Sequence, residues 1–265
     1  MTRLTIFAKG NLDVRDTLHA LKVGGQLKWN GVNELLRTRS SPIVARVRHE
    51  VCVRSDALLE ATTAVPPALA ARHLPLGVYT PPIQFSQALF EIDADVIVLS
   101  IQPDIAINIL RHRGDGFLFY PNDWRRWRPE DQAWLRESFV EEGLLDAATS
   151  MANFARIIER IRQHSDVPIL IYNVSSVTPG QSIHTYADLD EALSTRIRRF
   201  NLGLIELSRQ TGVSIIDVDA VVARAGADRL KYDATHLTGE GCRAVAEEVV
   251  RVLADLGCLP MEADG

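Results

Sequence analysis

The chain has 265 residues, 46% hydrophobic and 24% charged, with a formal net charge of -5. That balance suits a globular protein with room for a sizeable core and excludes disorder for the bulk of the chain. It offers no basic face for nucleic acid and no apolar run long enough to cross a membrane.

Three cysteines, Cys52, Cys242 and Cys258, are widely spaced and form no CxxC or Cys/His cluster. Free thiols are expected, with no structural zinc and no cofactor. The apolar stretch at the start is too short for a signal-peptide core and Lys9 interrupts it, so the expected compartment is the cytoplasm.

Residues 4–8 form an apolar run that stops at Lys9-Gly10, which predicts a buried strand entering a tight turn. Asn11 or Asp13 can cap a helix running toward Leu21, with Leu18 and Leu21 on one face. A short helix is expected at 32–36, and a second strand within 42–53. The alanine- and proline-rich stretch 57–82 gives no clear element. Residues 85–90 read as helix. Residues 96–99, Val-Ile-Val-Leu, are β-branched and uninterrupted, as in the middle of a parallel sheet. Residues 105–110 read as a short helix.

An insertion near 114–135 breaks the pattern. It holds Phe117, Phe119, Tyr120, Trp124, Trp127 and Trp134, with Arg125, Arg126 and Arg128 among them. Such residues can stack on a ligand ring or hold an anionic group, but a segment folded onto the domain with its arginines in water is the expected reading, since cation–π contacts are common structural features. Amphipathic helices are expected at 147–164 and 189–211, strands at 168–172 and 213–218, and a last helix at 238–256 capped by Thr238. Residues 259–265 read as a flexible tail.

Strands alternating with helices predict one α/β domain over residues 1–258, with a mostly parallel five-stranded sheet in a three-layer α/β/α sandwich. Ligand chemistry then sits beyond the carboxyl ends of the strands, in loops that begin at Gly10, Ser100, Asn173 and Val218.

The strongest local signal is Asp233-Ala234-Thr235-His236-Leu237-Thr238, ahead of the last helix. A carboxylate three residues before a histidine can accept the Nδ1 proton, which leaves Nε2 free to act as a base. Two polar residues before a helix also serve as caps.

The D-x-x-H-L-T segment before a C-terminal helix resembles the last sequence block of the SGNH/GDSL hydrolases. The resemblance implies their flavodoxin-like fold and hydrolase, esterase or acyltransferase chemistry on a small-molecule substrate. In that family the first strand ends in G-D-S and the serine begins the first helix; here it ends in Gly10-Asn11-Leu12. A leucine has no lone pair and no proton to give. The family's G-x-N-D block follows the central strand, where this chain reads Ser100-Ile101-Gln102-Pro103. The resemblance thus implies His236 and Asp233 as catalytic residues, with Gln102 and the turn Gly10, Asn11, Leu12 polarising a carbonyl. Asp13 is a candidate carboxylate nucleophile or general base, or only first-turn support for its helix. Asn173 and His184 flank a loop that can fold over the site. Three readings stay open: hydrolysis or acyl transfer through an activated water, a non-catalytic relative that keeps the cleft, and another biosynthetic reaction using the pair for proton transfer.

Overall fold

The computed structural model describes residues 2–23, 25–39, 41–177 and 191–259. In chain order its strands are β1 (Thr2–Gly10), β2 (Ala20–Val23), β3 (Gln26–Asn30), β4 (Ile43–Val51), β5 (Val96–Ser100), β6 (Ile109–His112), β7 (Leu118–Phe119), β8 (Phe139–Gly143), β9 (Ile169–Tyr172) and β10 (Ser214–Ile216). The central sheet has the order β10-β9-β5-β1-β4, with every pairing parallel. The chain winds first to one side of β1, to β4, and then to the other, to β5. The crevice beyond the carboxyl ends of β1 and β5 is therefore the switch point where ligands bind in such sheets.

Period-two alternation splits the core into two clusters, one on each face of the sheet. Leu4, Ile6 and Ala8 of β1 join Val98 of β5 against the helices Leu12–Leu18, Val32–Thr38 and Gly239–Asp255. Phe7, Ile97 and Leu99 join the other face, against the helices Ser55–Glu60, Ala147–Arg162 and Leu193–Thr211. The chain is a three-layer α/β/α sandwich, as expected.

The helix Ala147–Arg162 shows why the layers form. Asp146 caps it by accepting from Thr149 N at 2.9 Å. Phe154, Ile157, Ile158 and Ile161 then fall on one buried face at helical spacing. Truncating Phe154 to alanine would cost about 3–5 kcal/mol. The last helix, Gly239–Asp255, is capped by Thr238, whose hydroxyl accepts from Gly241 N at 3.1 Å. A side chain on Gly241 would meet the Leu230 carbonyl at 2.2 Å, so glycine lets this helix start close to the segment that carries the Asp-His pair.

Some expectations are corrected. Residues 85–90 are not one helix: Pro81–Gln84 forms a helical turn and Ala88–Phe90 a 3-10 turn. Residues 105–110 are not helical throughout. The helix is Gln102–Ala106, started early by Pro103, and Ile109 begins β6, which pairs with β7 and β8. The last central strand stops at Ile216, because Asp217 caps a further helix, Val218–Ala225, by accepting from Ala220 N at 3.0 Å. The first helix does not run on toward Leu21: it stops at Leu18, and residues 20–23 form β2, which pairs with β3 as an antiparallel hairpin. Neither Asn11 nor Asp13 caps the first helix: Asn11 holds the cap position without a side-chain cap bond, and Asp13 lies inside the first turn. The insertion contributes β7 to the β7-β6-β8 sheet, whose other two strands flank it, and its Phe119 and Trp127 are buried in a cluster of their own with Leu135 and Phe139.

Candidate active site

The turn after β1 is set by close packing. A side chain on Gly10 would meet Val14 Cγ2 at 2.6 Å and Ser100 Cβ at 3.3 Å. Its carbonyl accepts from Cys52 N at 3.1 Å and pairs with His49 Nε2 at 3.0 Å. Asn11 Oδ1 accepts from the Tyr79 hydroxyl at 2.7 Å, and the Tyr79 ring stands edge-on to Tyr120 at 4.9 Å. Leu12 is the first residue of the helix.

One residue on, Asp13 Oδ2 accepts from the Ser100 hydroxyl at 2.5 Å, and the same Ser100 oxygen accepts from Gln102 N at 3.0 Å. Asp13 Oδ1 and Gln102 Oε1 are both buried and accept no hydrogen bond from any described residue. Burial pushes the Asp13 carboxyl above the usual carboxylate range; the Ser100 hydroxyl and nearby backbone N–H groups only partly oppose it. The helix bearing Gln102 is anchored by buried Asp104, which accepts from Ser55 N at 2.8 Å and the Ser150 hydroxyl at 2.6 Å.

At the end of β9, Asn173 Nδ2 donates to Asp217 Oδ1 at 2.8 Å and its Oδ1 accepts from Asp219 N at 3.1 Å. Its second amide hydrogen has no partner among the described residues. Lys231 is buried and donates to the carbonyls of Val177 at 2.7 Å and Ser175 at 3.4 Å. Burial pushes its ammonium down to about 8, against the pull of Asp233 and Asp219.

Asp233 and His236 pair as the spacing predicts. Asp233 Oδ1 accepts from the backbone N–H groups of Thr235 and His236, each at 2.8 Å, and Oδ2 lies 2.7 Å from His236 Nδ1. Partial burial raises the Asp233 carboxyl, but these donors outweigh it and hold it below its ordinary value. The His236 side chain is 39% exposed, and its ring stacks on Tyr232 at 5.5 Å.

Asp13, Gln102, Asn173, Lys231, Thr235 and Leu237 line one cavity of about 20 Å³. That volume holds a single group the size of a water. A second cavity, of about 510 Å³, is lined by Gln102, Asn108, Tyr120, Trp124, Arg125 and Arg126 among others. Gln102 belongs to both. Of the residues expected from the sequence, Asp13, Gln102 and Asn173 meet at the smaller cavity. Gly10, Asn11, Leu12, Asp233 and His236 do not line it, although Thr235 and Leu237, on either side of His236, do. His184 lies outside the described residues. Lys231, Ser100 as a partner of Asp13, and Tyr79 were not singled out from the sequence. A lone lysine between Leu230 and Tyr232 carries no pattern that separates a buried cation from a surface one.

The chain matches no family model and no curated protein. Solved structures similar to it include the lipase/acylhydrolase from Enterococcus faecalis, 12% identical, with a TM-score of 0.53 over 99% of this chain and 100% of that one. The acetyl xylan esterase AlAXEase is 13% identical, with a TM-score of 0.53 over 94% of this chain and 100% of that one. A member of the lipolytic protein G-D-S-L family from Veillonella parvula DSM 2008 is 10% identical, with a TM-score of 0.50 over 96% of this chain and 99% of that one. At such identities the likeness shows the fold, which is that of the SGNH hydrolases.

Proposed function

We propose that this chain is a hydrolase or acyl-transfer enzyme acting on a small ester- or amide-type molecule, with His236 and Asp233 activating a water. The observation that carries this reading is the 2.7 Å contact between His236 Nδ1 and Asp233 Oδ2, on a loop whose Thr235 and Leu237 line the same cavity as Asp13 and Gln102. The shared fold supports it, since solved structures of that fold include a lipase/acylhydrolase and an acetyl xylan esterase. The free thiols support a reducing compartment, the cytoplasm. Among the described residues no helix is long and apolar enough to cross a membrane.

The steps follow from the atoms. Asp233 fixes the tautomer that carries its proton on Nδ1, so Nε2 has a lone pair. Nε2 takes a proton from water as the oxygen adds to the acyl carbon. The carbonyl oxygen becomes an oxyanion, stabilised by the Gln102 amide and the backbone N–H groups of the turn Gly10 to Leu12. Collapse expels the alcohol or amine, which takes the proton back from the imidazolium. No acyl-enzyme forms at Leu12, which has no nucleophilic atom.

A second reading makes Asp13 the base or the nucleophile. It is favoured by the Asp13 Oδ1 atom, buried on the cavity wall without a partner among the described residues. The test is turnover of 4-nitrophenyl acetate by His236→Ala and Asp13→Asn. Loss in His236→Ala supports the pair. Full activity in His236→Ala with loss in Asp13→Asn moves the role to Asp13. Wild-type turnover in both variants overturns both readings.

A further inference from the structure

The insertion that stands out in the sequence forms a wall of the larger cavity. At about 510 Å³ that cavity falls in the range of small-molecule sites. The arginines in and beside the insertion fall into two groups. Arg128 is engaged by Glu130 and Asp131, and Arg111, nearby on β6, by Glu60 and Glu142. Arg125 and Arg126, adjacent on the 3-10 turn Trp124–Arg126, are exposed on the cavity wall and pair with no carboxylate among the described residues.

Their turn is firmly held. Asp123 opens it at φ 51°, the one non-glycine residue among those described with a left-handed backbone. Trp127 Nε1 donates to the Asn122 carbonyl at 3.0 Å, and Gln132 Nε2 donates to the carbonyls of Arg125 at 3.2 Å and Trp127 at 2.8 Å. The Arg125 guanidinium lies 5.7 Å from the Trp124 ring centre, and Arg136 lies 5.4 Å from the same ring. A ring that restrains a guanidinium lowers the entropy lost when that group binds.

We infer that the larger cavity recognises an anionic group, carboxylate or phosphate, on a compact organic molecule, with Arg125 and Arg126 as the recognising pair. Planar guanidinium forks match two oxygens of such a group at once. Asp123 and Glu141 lie on the same wall and form no ion pair with either arginine. Their charges balance those of Arg125 and Arg126, so recognition comes from fork contacts and not from a broad positive field. In the proposed hydrolase this cavity adjoins Gln102 and takes the part of the substrate that does not react. That assignment alone rests on the hydrolase reading; binding of the anion does not.

The experiment is calorimetric titration of phenyl phosphate, benzoate and neutral benzamide into the wild type, His236→Ala and the double variant Arg125→Ala/Arg126→Ala. The anions are expected to bind the wild type and His236→Ala alike, and benzamide about tenfold more weakly or worse. The double variant is expected to weaken the anions about tenfold or more and leave benzamide unchanged. Its melting temperature should match the wild type, because both side chains are exposed. Benzamide binding as well as the anions, no binding of either anion to the wild type, or anions bound undiminished by the double variant each overturns the inference. Anion binding without turnover of any acyl ester rejects the hydrolase and leaves the anion site standing.

Discussion

The Ser100 hydroxyl donates to Asp13 Oδ2 across 2.5 Å and ties the end of β5 to the helix that follows β1. These two strands flank the switch point of the sheet. Because the same oxygen accepts from the backbone N–H of Gln102, one serine holds the Asp13 side chain and the Gln102 backbone, two residues that each have a buried side-chain oxygen without a partner among the described residues.

The His236–Asp233 pair gives the most direct expectation. His236→Ala should lower kcat about 10²- to 10⁴-fold, the usual contribution of a positioned base. Asp233→Asn should lower it too, because the imidazole loses its tautomer and orientation. Both side chains are well exposed, so melting temperatures should barely move. Steady-state kinetics with an aryl acetate, beside a thermal melt, separates the two effects.

Asp13 gives a pH dependence of defined sign. Its folded carboxyl is raised by burial, so the native state holds that proton more tightly than the unfolded chain. Stability is therefore lost as pH rises from the unfolded value near ~3.9 towards the raised folded value. Asp13→Asn removes this loss. The variant should gain stability over the wild type at pH 7 and little at pH 4, read as urea midpoints. An equal change at both pH values would contradict the assignment.

His49 has the opposite slope. Burial pushes its imidazole down to about 4, with the Gly10 carbonyl only partly opposing. The folded state disfavours the imidazolium, so stability is lost as pH falls from the unfolded value near ~6.5 to the folded one. His49→Gln keeps a donor for the Gly10 carbonyl and should flatten this acid limb in melts between pH 7 and pH 4.5.

Gly10→Ala tests the packing of the turn. The added methyl would lie 2.6 Å from Val14 Cγ2, so the helix must shift. A cost of about 1–3 kcal/mol is expected. Gly10→Ala/Val14→Ala should fall short of the sum of the single changes, because shortening Val14 relieves the contact. Denaturant midpoints of the three variants decide it.

The sequence revealed what is local and periodic. Val96 to Leu99 read as a central strand because an apolar β-branched run has few other uses, and Asp233 with His236 read as a pair because a three-residue turn brings them together. Residues 105–110 misled because a short apolar run fits helix and strand alike. The choice was made by β8, whose Glu141 lies opposite Leu110. Asn11 stands where a cap belongs, yet its side chain accepts from Tyr79, in a stretch with no pattern to place it. Lys231 was invisible for the same reason: its partners, the carbonyls of Ser175 and Val177, come from a distant loop.

Gln102 lines both a chamber of about 20 Å³ and one of about 510 Å³. For the proposed hydrolase, with Gln102 polarising the carbonyl, that asymmetry would make the protein a gauge of molecular bulk. A bond polarised at this amide has, on one side, room for little more than a methyl group, and on the other, room for an entire ring system. Chain length would be judged strictly at one end of the molecule and hardly at all at the other.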